Sequence, residues 1–538
     1  MYKSSVVSTV IVTAIFGFLY YLLLPAISLQ SIGFWLFLIA YFLCVGGISM
    51  IAGSAIEYET DLFGKITMGL AGLLLVIFLG GLFFGSDLFT AHSLANVYGD
   101  ENIKEEDIPT YFATLDNIPL TDKDTAYNLA IRQMGSLNGD EVSQFELHNS
   151  YSSTYKGISY RMAPLGYAGF FQWNNNKDTG IPAYISVNMT NQNAEINRLD
   201  KTIKYGPSEF FGRDLKRHLR KDYPNDIFDE SSFELDEDGN PYWITPVIKP
   251  TVGMFNGDDV VSVIVTNAVT GENEKYALDK TPSWIDNVYP SYLIIQQYDW
   301  YGSYQSGFWN SIFGKKNAVV TTEGYNYVPK EGDVYIYTGV TSLVADESNI
   351  GFIVVNKRTK ETTYYKYAGA EEYSAMSSAE GVVQQFGYTA TFPLLVNVEG
   401  VPTYYLALKD TSGLVKSYAL INVKDYQIVV AEKTLKATLE NYLIAIGKKT
   451  EADISDPEDV TKPEVNTNYN AEIEGVIETI KTGDIDGNTY FYIKLENDER
   501  YFKISLANSE LVIMANAGDR ILIEYVNSDA KILDSRIK

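Results

Sequence analysis

The sequence predicts a membrane-anchored α+β protein that ends in a small β-barrel. Three uncharged apolar runs, Val6–Leu24, Ile32–Ala52 and Ile66–Phe84, each approach the ~20 residues that an α-helix needs to cross a bilayer. The sequence after them alternates Val, Ile, Tyr and Thr between turns of Gly, Asn and Asp, which is typical of antiparallel sheets with few helices. A polar stretch at 447–468 then precedes about five short strand-like segments.

The apolar runs predict an anchor of three transmembrane helices over residues 1–85. The first run exceeds the ~7–15 apolar residues of a signal peptide and ends at Pro25 rather than at a small-x-small cleavage site, so we expect it to be retained. Lys3 and Lys65 are the cations nearest the helices, and the positive-inside rule places both in the cytoplasm. Three crossings then leave the N-terminus in the cytoplasm and residues 86–538 outside the cell membrane.

The cysteine content and the net charge argue against several kinds of site and partner. Cys44, inside the second apolar run, is the only cysteine. A disulfide framework and a Cys-ligated zinc site are therefore excluded, which suits an exported bacterial domain that folds without oxidation. The net charge of −26 at pH 7 repels phosphate backbones, which argues against nucleic acid as a partner.

Beyond the anchor, we divide the sequence into two α+β regions, 86–280 and 281–446, because single domains mostly stay below ~250 residues. A Gly-x-Pro-x-aromatic motif occurs at Gly180–Tyr184, Gly239–Trp243 and Gly400–Tyr404. Glycine supplies a turn and proline the first residue of a strand, so each copy predicts the start of an alternating strand.

Hairpins flanked by a helix are expected in both regions, at Gly239–Leu278 and Ile350–Ile428. These segments resemble the PepSY domain, a small α+β unit found outside bacterial membranes. The stretch from Thr281 to Tyr426 is also similar to an uncharacterised family of Gram-positive multi-pass membrane proteins, loosely labelled cell-shape-determining. The PepSY resemblance implies a sensory or binding role, or the restraint of a peptidase, and it implies no catalytic residue.

The C-terminal part is predicted to be an acidic linker, 447–468, followed by a small barrel, 469–538. Acidic residues dominate the linker and almost nothing in it is apolar. The short strands of the barrel resemble an OB-fold. Many OB barrels bind nucleic acid or sugar, but this one has no basic stripe, so we predict a plain interaction module.

No constellation of residues predicts an enzyme or a metal site. His92, His148 and His218 lie in different elements, and the sequence has no Gly-x-Ser-x-Gly elbow, HExxH motif or phosphate-binding loop. Asp236–Asn240 and Asp484–Asn488 resemble the first half of a calcium loop, but both lack the glutamate at the twelfth position, so hairpin turns are favoured. We therefore assign no catalytic residue, no metal and no cofactor.

Two segments are candidates for recognition. Pro207–Lys221 is a basic helix that could grip an anionic wall polymer or the membrane surface, or pair with the protein's own acidic surface. Trp284–Phe313 is dense in aromatic residues, which stack on sugars, pack on partners, occupy the membrane interface or form a core between sheets. The candidate binding residues are Trp284, Trp300, Tyr301, Tyr304 and Trp309.

These features predict a non-enzymatic, membrane-anchored binding or scaffolding protein of the bacterial envelope. Its expected partners are the membrane and other envelope proteins or cell-wall polymer, without nucleic acid. Gly81 and Gly85, spaced as in helix-association motifs, leave a homo-oligomer open. The alternative is an envelope enzyme, or a PepSY-type regulator of an extracytoplasmic peptidase or wall hydrolase.

Overall fold

The computed structural model describes residues 2–56, 62–106, 122–330, 332–449, 469–485, 488–505, 512, 515–526 and 531–537. Within these residues the protein is α+β, as the sequence predicts, and the chain divides into two compact units, Met1–Ala445 and Ile446–Lys538. Most of the predicted acidic linker lies outside the described residues.

The N-terminal helices pack side by side. They are α1 (Tyr2–Leu23), α2 (Ile32–Ile56) and α3 (Leu62–Phe84). Phe16 meets Tyr41 and Tyr20 meets Phe37, so α1 and α2 run in opposite directions. Gly46 brings α2 close to α3, because a Cβ there would lie 2.7 Å from a side chain of α3.

Two helices, rather than the three expected, have the length and hydropathy of a membrane span. Among the described residues these are Ile32–Ile51 and Leu62–Phe84. The apolar part of α1 is Thr9–Leu23, and its ~15 residues cover only ~22 Å of a ~30 Å hydrocarbon core. The prediction of three spans is therefore wrong for the described residues. Counting crossings no longer fixes the side on which the rest of the chain lies.

Short helices connect the strands of the first unit. They are α4 (Asp87–Tyr98), α5 (Lys123–Met134), α6 (Gly139–Val142), α7 (Phe170–Asn176), α8 (Leu215–Asp222), α9 (Ser291–Tyr304), α10 (Glu372–Val382) and α11 (Leu435–Ala445). Turns of 3₁₀ helix lie at Asp100–Asn102, Phe211–Arg213, Leu278–Lys280 and Gln384–Phe386, and a π-helical turn lies at Asn310–Gly314. Asp122 and Asp214 cap α5 and α8, because each carboxylate accepts the N–H of a first-turn residue.

Two antiparallel sheets occupy residues 145–277. Sheet I contains Phe145–Leu147, Tyr151–Tyr155, Ile158–Tyr167, Ile181–Asn188 and Ala194–Ile203. Sheet II contains Ile227–Phe228, Ser232–Leu235, Pro241–Val252, Asn256–Asn267 and Asn273–Ala277. Gly180 and Gly239 have φ angles of 82° and 85° directly before two of these strands, which confirms the role predicted for the glycine motif.

Two further sheets complete the first unit. Sheet III contains Ile103–Glu106, Val319–Thr321, Asn326–Lys330, Asp333–Ser342, Ala345–Asn356, Thr362–Tyr365 and Gly369–Ala370. Sheet IV contains Thr389–Ala390, Leu394–Val398, Val401–Lys409, Val415–Asn422 and Val429–Glu432. The third glycine motif again opens a strand, since Gly400 has a φ of 81°. The hairpin predicted after it is confirmed by antiparallel pairing of Val401–Lys409 with Val415–Asn422.

Sheets II and III share a hydrophobic core with two helices. Its buried members include Tyr98 of α4, Ile244 and Val263 of sheet II, Leu293 of α9 and Ile353 of sheet III. Sheet I packs with α5 and α8 on a second core. The shared core holds α9 against sheets II and III, and this placement brings the segment before α9 next to sheet I.

The second unit is a closed five-stranded barrel, as the sequence predicts. Its strands are Ala471–Ile485, Asn488–Leu495, Tyr501–Ser505, Arg520–Tyr525 and Ile532–Ile537. Closure depends on the last strand, which pairs in parallel with the third and antiparallel with the fourth. Ile493, Phe502 and Ile523 are fully buried inside the barrel, so this unit has a core of its own.

Candidate binding site

The predicted aromatic residues fall into different environments. Trp284 packs on Tyr242, with ring centroids 5.2 Å apart. Tyr301 packs beside Tyr98 at 6.1 Å, and both Trp284 and Tyr301 contribute to the core shared by sheets II and III. These two residues therefore fit the alternative of an aromatic core.

The other three candidates lie towards or beyond the end of α9. Trp300 is half-buried on that helix. The Tyr304 hydroxyl donates to the Asp87 carboxylate at 2.8 Å. Trp309 is 62% exposed and stacks on the ring of Phe313, which is 77% exposed, with centroids 5.7 Å apart. The five residues do not share one surface.

His218 and the calcium-like turn at Asp236–Asn240 both have structural surroundings. His218 packs against the Tyr205 ring at 4.7 Å, and its Nε2 lies 2.6 Å from the Gly271 carbonyl oxygen. The Asp236 carboxylate accepts the N–H groups of Asp238 and Asn240, as in the predicted hairpin turn. Among the described residues, no three His, Cys, Asp or Glu side chains form a group that could hold a metal ion.

A cleft that the sequence did not predict lies between three sheets. Its volume is about 620 Å³, within the ~300–1,000 Å³ of typical small-molecule sites. Residues from sheets I, II and III line it, together with the start of α9 and the cap of α5. The shared core of sheets II and III positions these walls.

Arg161 lies in the wall of the cleft with an incomplete set of partners. It is on the strand Ile158–Tyr167, only 3% exposed, and its guanidinium lies 4.9 Å from the centre of the Tyr327 ring. One nitrogen donates to the Ser150 carbonyl at 3.4 Å, while Nε has no partner among the described residues. Burial lowers the pKa of Arg161. Because a buried, under-satisfied guanidinium is costly, this position is suited to an incoming anion.

Lys357 supplies a second buried cation beside Tyr327. It is 6% exposed, its Nζ lies 5.1 Å from the Tyr327 ring centre, and it donates to the Asn287 side-chain oxygen. Asn287 is itself held by the buried Glu234, which accepts the Asn287 backbone N–H at 2.9 Å and its side-chain amide at 2.7 Å. The lysine is therefore held by Asn287 of the cleft wall, which is itself anchored by Glu234 behind that wall.

The two cations act on the tyrosine between them. Burial works to raise the pKa of Tyr327, but the positive charges of Lys357 and Arg161, together with hydrogen bonds to Ser291 and Tyr325, lower this pKa to about 8. The direction of this shift agrees with the two cations that lie against the ring, and it indicates a positive potential at the phenol oxygen. The potential would hold a carboxylate or phosphate on a ligand in the same way.

Hydroxyl and aromatic groups surround the cations. The Ser150 and Ser152 hydroxyls line the cleft and have no partner among the described residues. Tyr325 and Tyr292, 39% and 54% exposed, offer ring faces, and Tyr292 is oriented by donating to Asp229 at 2.6 Å. An anionic group beside Arg161, hydrogen-bonding groups and a ring stacked on tyrosine would together satisfy this set.

No protein-family model matches this chain, and a comparison with the curated proteins finds no relative.

One feature of the sequence points to the cleft. Arg161 stands directly before the apolar residues Met162 and Ala163, at the start of the buried part of its strand. A charge inside such a run has to be either paired or functional.

Proposed function

We propose that the protein is a membrane-anchored binding protein of the bacterial envelope, with a non-catalytic role, that takes an acidic saccharide of the cell wall into the cleft at Arg161. The observation that carries the proposal is the buried guanidinium with an unpartnered Nε beside a second cation. Tyrosine rings at the cleft mouth suit the faces of sugar rings, and the acidic side chains of Asp124 and Glu230 there suit their hydroxyl groups.

The binding proposal is tested with the purified full-length chain in detergent. A tetrasaccharide that contains uronic acid is titrated against its carboxyl-reduced counterpart by calorimetry. We expect the acidic sugar to bind and Arg161→Gln to weaken it by about 10–100-fold, because a hydrogen bond to a charged group contributes ~1.5–3 kcal/mol. Lys424→Gln, at an exposed lysine outside the cleft, is the matched control.

Two results would contradict this assignment. One is equal affinity for the acidic and reduced sugars, and the other is unchanged affinity in Arg161→Gln. Because Arg161 also packs on Tyr327, Arg161→Lys serves as a second variant that keeps the charge and loses the forked donor geometry. Thermal unfolding of each variant separates loss of binding from loss of fold.

We further propose that α2 and α3 cross the cell membrane, with the α2–α3 connection in the cytoplasm and residues 86–538 outside. Lys65 at the start of α3 supports this orientation through the positive-inside rule. The antiparallel packing of α1 on α2 brings the end of α1 to the start of α2, which lies on the outer side in this orientation.

Orientation is tested by labelling intact cells with a membrane-impermeant maleimide. Single cysteines replace Lys65 or Lys424 in a Cys44→Ala background. We expect label at position 424 alone until the cells are opened. Label at position 65 alone would invert the orientation.

A further inference from the structure

We infer that the folded region also contacts the bilayer surface beside the N-terminal helices. An exposed aromatic turn and a basic helix make this contact, and they bind anionic lipid headgroups. This inference rests on the membrane anchoring proposed above and is independent of the ligand of the cleft. It concerns two places where the first unit touches the ends of its own N-terminal helices.

The first place is the end of α3. The hairpin tip of sheet II inserts Phe255 between Trp35 of α2 and Phe78 of α3, with ring centroids 6.3 and 5.4 Å away. The Asn256 side chain donates to the Gly85 carbonyl and to the Asp87 carboxylate, each at 2.9 Å. These contacts fix where α3 leaves the bilayer, at the start of α4.

Helix α9 returns to that same level. Tyr298 packs on Tyr98 at the far end of α4, 5.4 Å between centroids, whereas Tyr304 donates to Asp87 at the near end. The two helices are therefore antiparallel, and α9 ends where α3 ends. The residues that follow Tyr304 lie at or below this level, at the membrane surface.

Those following residues form the aromatic turn, Trp309–Lys316. Trp309, Ile312 and Phe313 are 62%, 46% and 77% exposed, and Lys315 and Lys316 follow them after Gly314. Exposed aromatic rings with adjacent lysines are what the headgroup region of a bilayer favours, because the rings partition into the interface while the ammonium groups reach phosphates.

The second place is the end of α1, where the basic helix α8 packs. The Arg220 guanidinium donates to the Leu24 carbonyl at 3.2 Å, and Arg217 lies 4.3 Å from the centre of the Tyr21 ring. The backbone N–H of Ile27 donates to the Pro224 carbonyl at 2.8 Å. Helix α8 is thus held at the same end of the anchor as the aromatic turn.

The charge and the exposure of α8 favour contact with lipid headgroups at this second place as well. Lys216 and Lys221 of α8 are exposed, while Leu215 and Leu219 face the protein core. Phe171 and Phe211 nearby are 77% and 54% exposed. In a chain of net charge −26, basic residues beside the anchor match anionic headgroups, whereas the acidic remainder is repelled by them.

The test measures depth in the membrane with the full-length chain in vesicles. In a Cys44→Ala background, Phe313→Cys carries a fluorescent probe, and lipids with nitroxide-labelled headgroups quench it. The control is Thr359→Cys, which is exposed and neighbours Lys360, whose ammonium lies over the Tyr98 ring at the far end of α4. That end is ~16 Å from Asp87 along α4.

We expect several-fold stronger quenching at position 313 than at position 359. We also expect the difference to grow in vesicles with phosphatidylglycerol over pure phosphatidylcholine, and to shrink on combined Lys216→Gln, Lys221→Gln, Lys315→Gln and Lys316→Gln substitution. Equal quenching at the two positions, or no response to lipid charge, would overturn the inference. Flotation of the vesicles reports anchoring separately, so a chain that floats without quenching refutes only the surface contact.

Discussion

Tyr327 shows how the cleft places two cations against one aromatic ring. Arg161 and Lys357 both lie over its ring, at 4.9 and 5.1 Å. Asp122, the nearest acidic cap, is already paired with Lys409 at 2.6 Å. The interaction of a ring with two cations only partly offsets the desolvation of their charges. A bound anion would offset the rest of this desolvation cost, so the ligand proposed for the cleft would also stabilise its two cations.

The lowered pKa of Tyr327 predicts a specific dependence of stability on pH. The pKa of Tyr327 is about 8 in the folded chain against an ordinary value of 10.0, so ionisation stabilises the fold fully above pH 10 and not at all below pH 8. Relative to Tyr327→Phe, we expect the free energy of unfolding of the unmodified chain to rise by about 1–3 kcal/mol between these limits. Urea unfolding at a series of pH values measures it.

The matched control for this residue is Tyr426→Phe, at a tyrosine that is 44% exposed and lies outside the cleft. The difference between the unmodified chain and this control should stay flat over the same pH range. A flat difference for Tyr327→Phe as well would mean that the two cations do not act on the phenol as described.

At the scale of elements, the long hairpin of sheet II couples the folded region to the anchor. Its tip occupies the glycine-lined face of α3, since a Cβ on Gly81 would lie 2.8 Å from the Phe255 ring and one on Gly253 would lie 3.1 Å from the Gly85 backbone. The spacing of Gly81 and Gly85 suggested helix association between chains. In the structure these glycines instead accept a segment of their own chain.

This contact predicts different effects for two neighbouring glycines. Gly81→Val forces atoms against Phe255, and we expect a loss of about 1–3 kcal/mol from overpacking, seen as a lower unfolding temperature in detergent. Gly80→Val makes the same change in helix propensity where nothing lies within 4 Å of the new Cβ, so it should be close to neutral. Equal effects of the two substitutions would show that the hairpin tip does not use this face.

The hairpins and the cleft differ in what local sequence can reveal. Each Gly-x-Pro motif specifies a turn through adjacent residues, so its positive φ and the following strand could be predicted. The cleft depends on Arg161, Asn287, Tyr327 and Lys357, which come from separate strands and a loop. Only tertiary packing brings them together. The sequence shows that aromatic residues are dense around α9. It does not show which of them are buried, because the same residue types occur in cores and on surfaces.

At the scale of the whole molecule, the lengths of the apolar runs predicted the wrong number of membrane spans, whereas the strand pattern predicted the barrel correctly. Uncharged residues at the start of α1 suggested a third span, although its strongly apolar part is only Thr9–Leu23. Alternation in the C-terminal segment predicted the barrel, because a small closed sheet needs inward-facing apolar residues at every second position. Ile493 and Phe502 are such residues, and both are fully buried.

The separate core of the barrel predicts that it can be removed without unfolding the rest. The first unit ends with α11, where Tyr442 is fully buried and bonds to Thr403 of sheet IV at 2.9 Å. Deleting residues 447–538 leaves this contact intact. We expect the shortened chain to remain in the membrane fraction, with an unfolding temperature within ~2 °C of the intact chain, since the contacts of its own core are retained.

A second truncation provides the comparison. Ending the chain at Asp410 removes the strand Val415–Asn422, the antiparallel partner of Val401–Lys409, and also removes α11. That chain exposes the buried face of sheet IV, so we expect rapid cleavage by trypsin under conditions in which the longer truncation resists it. If the chain that ends at residue 446 is cleaved as fast as the one that ends at residue 410, the first unit depends on the barrel, and the division into two independently stable units is incorrect.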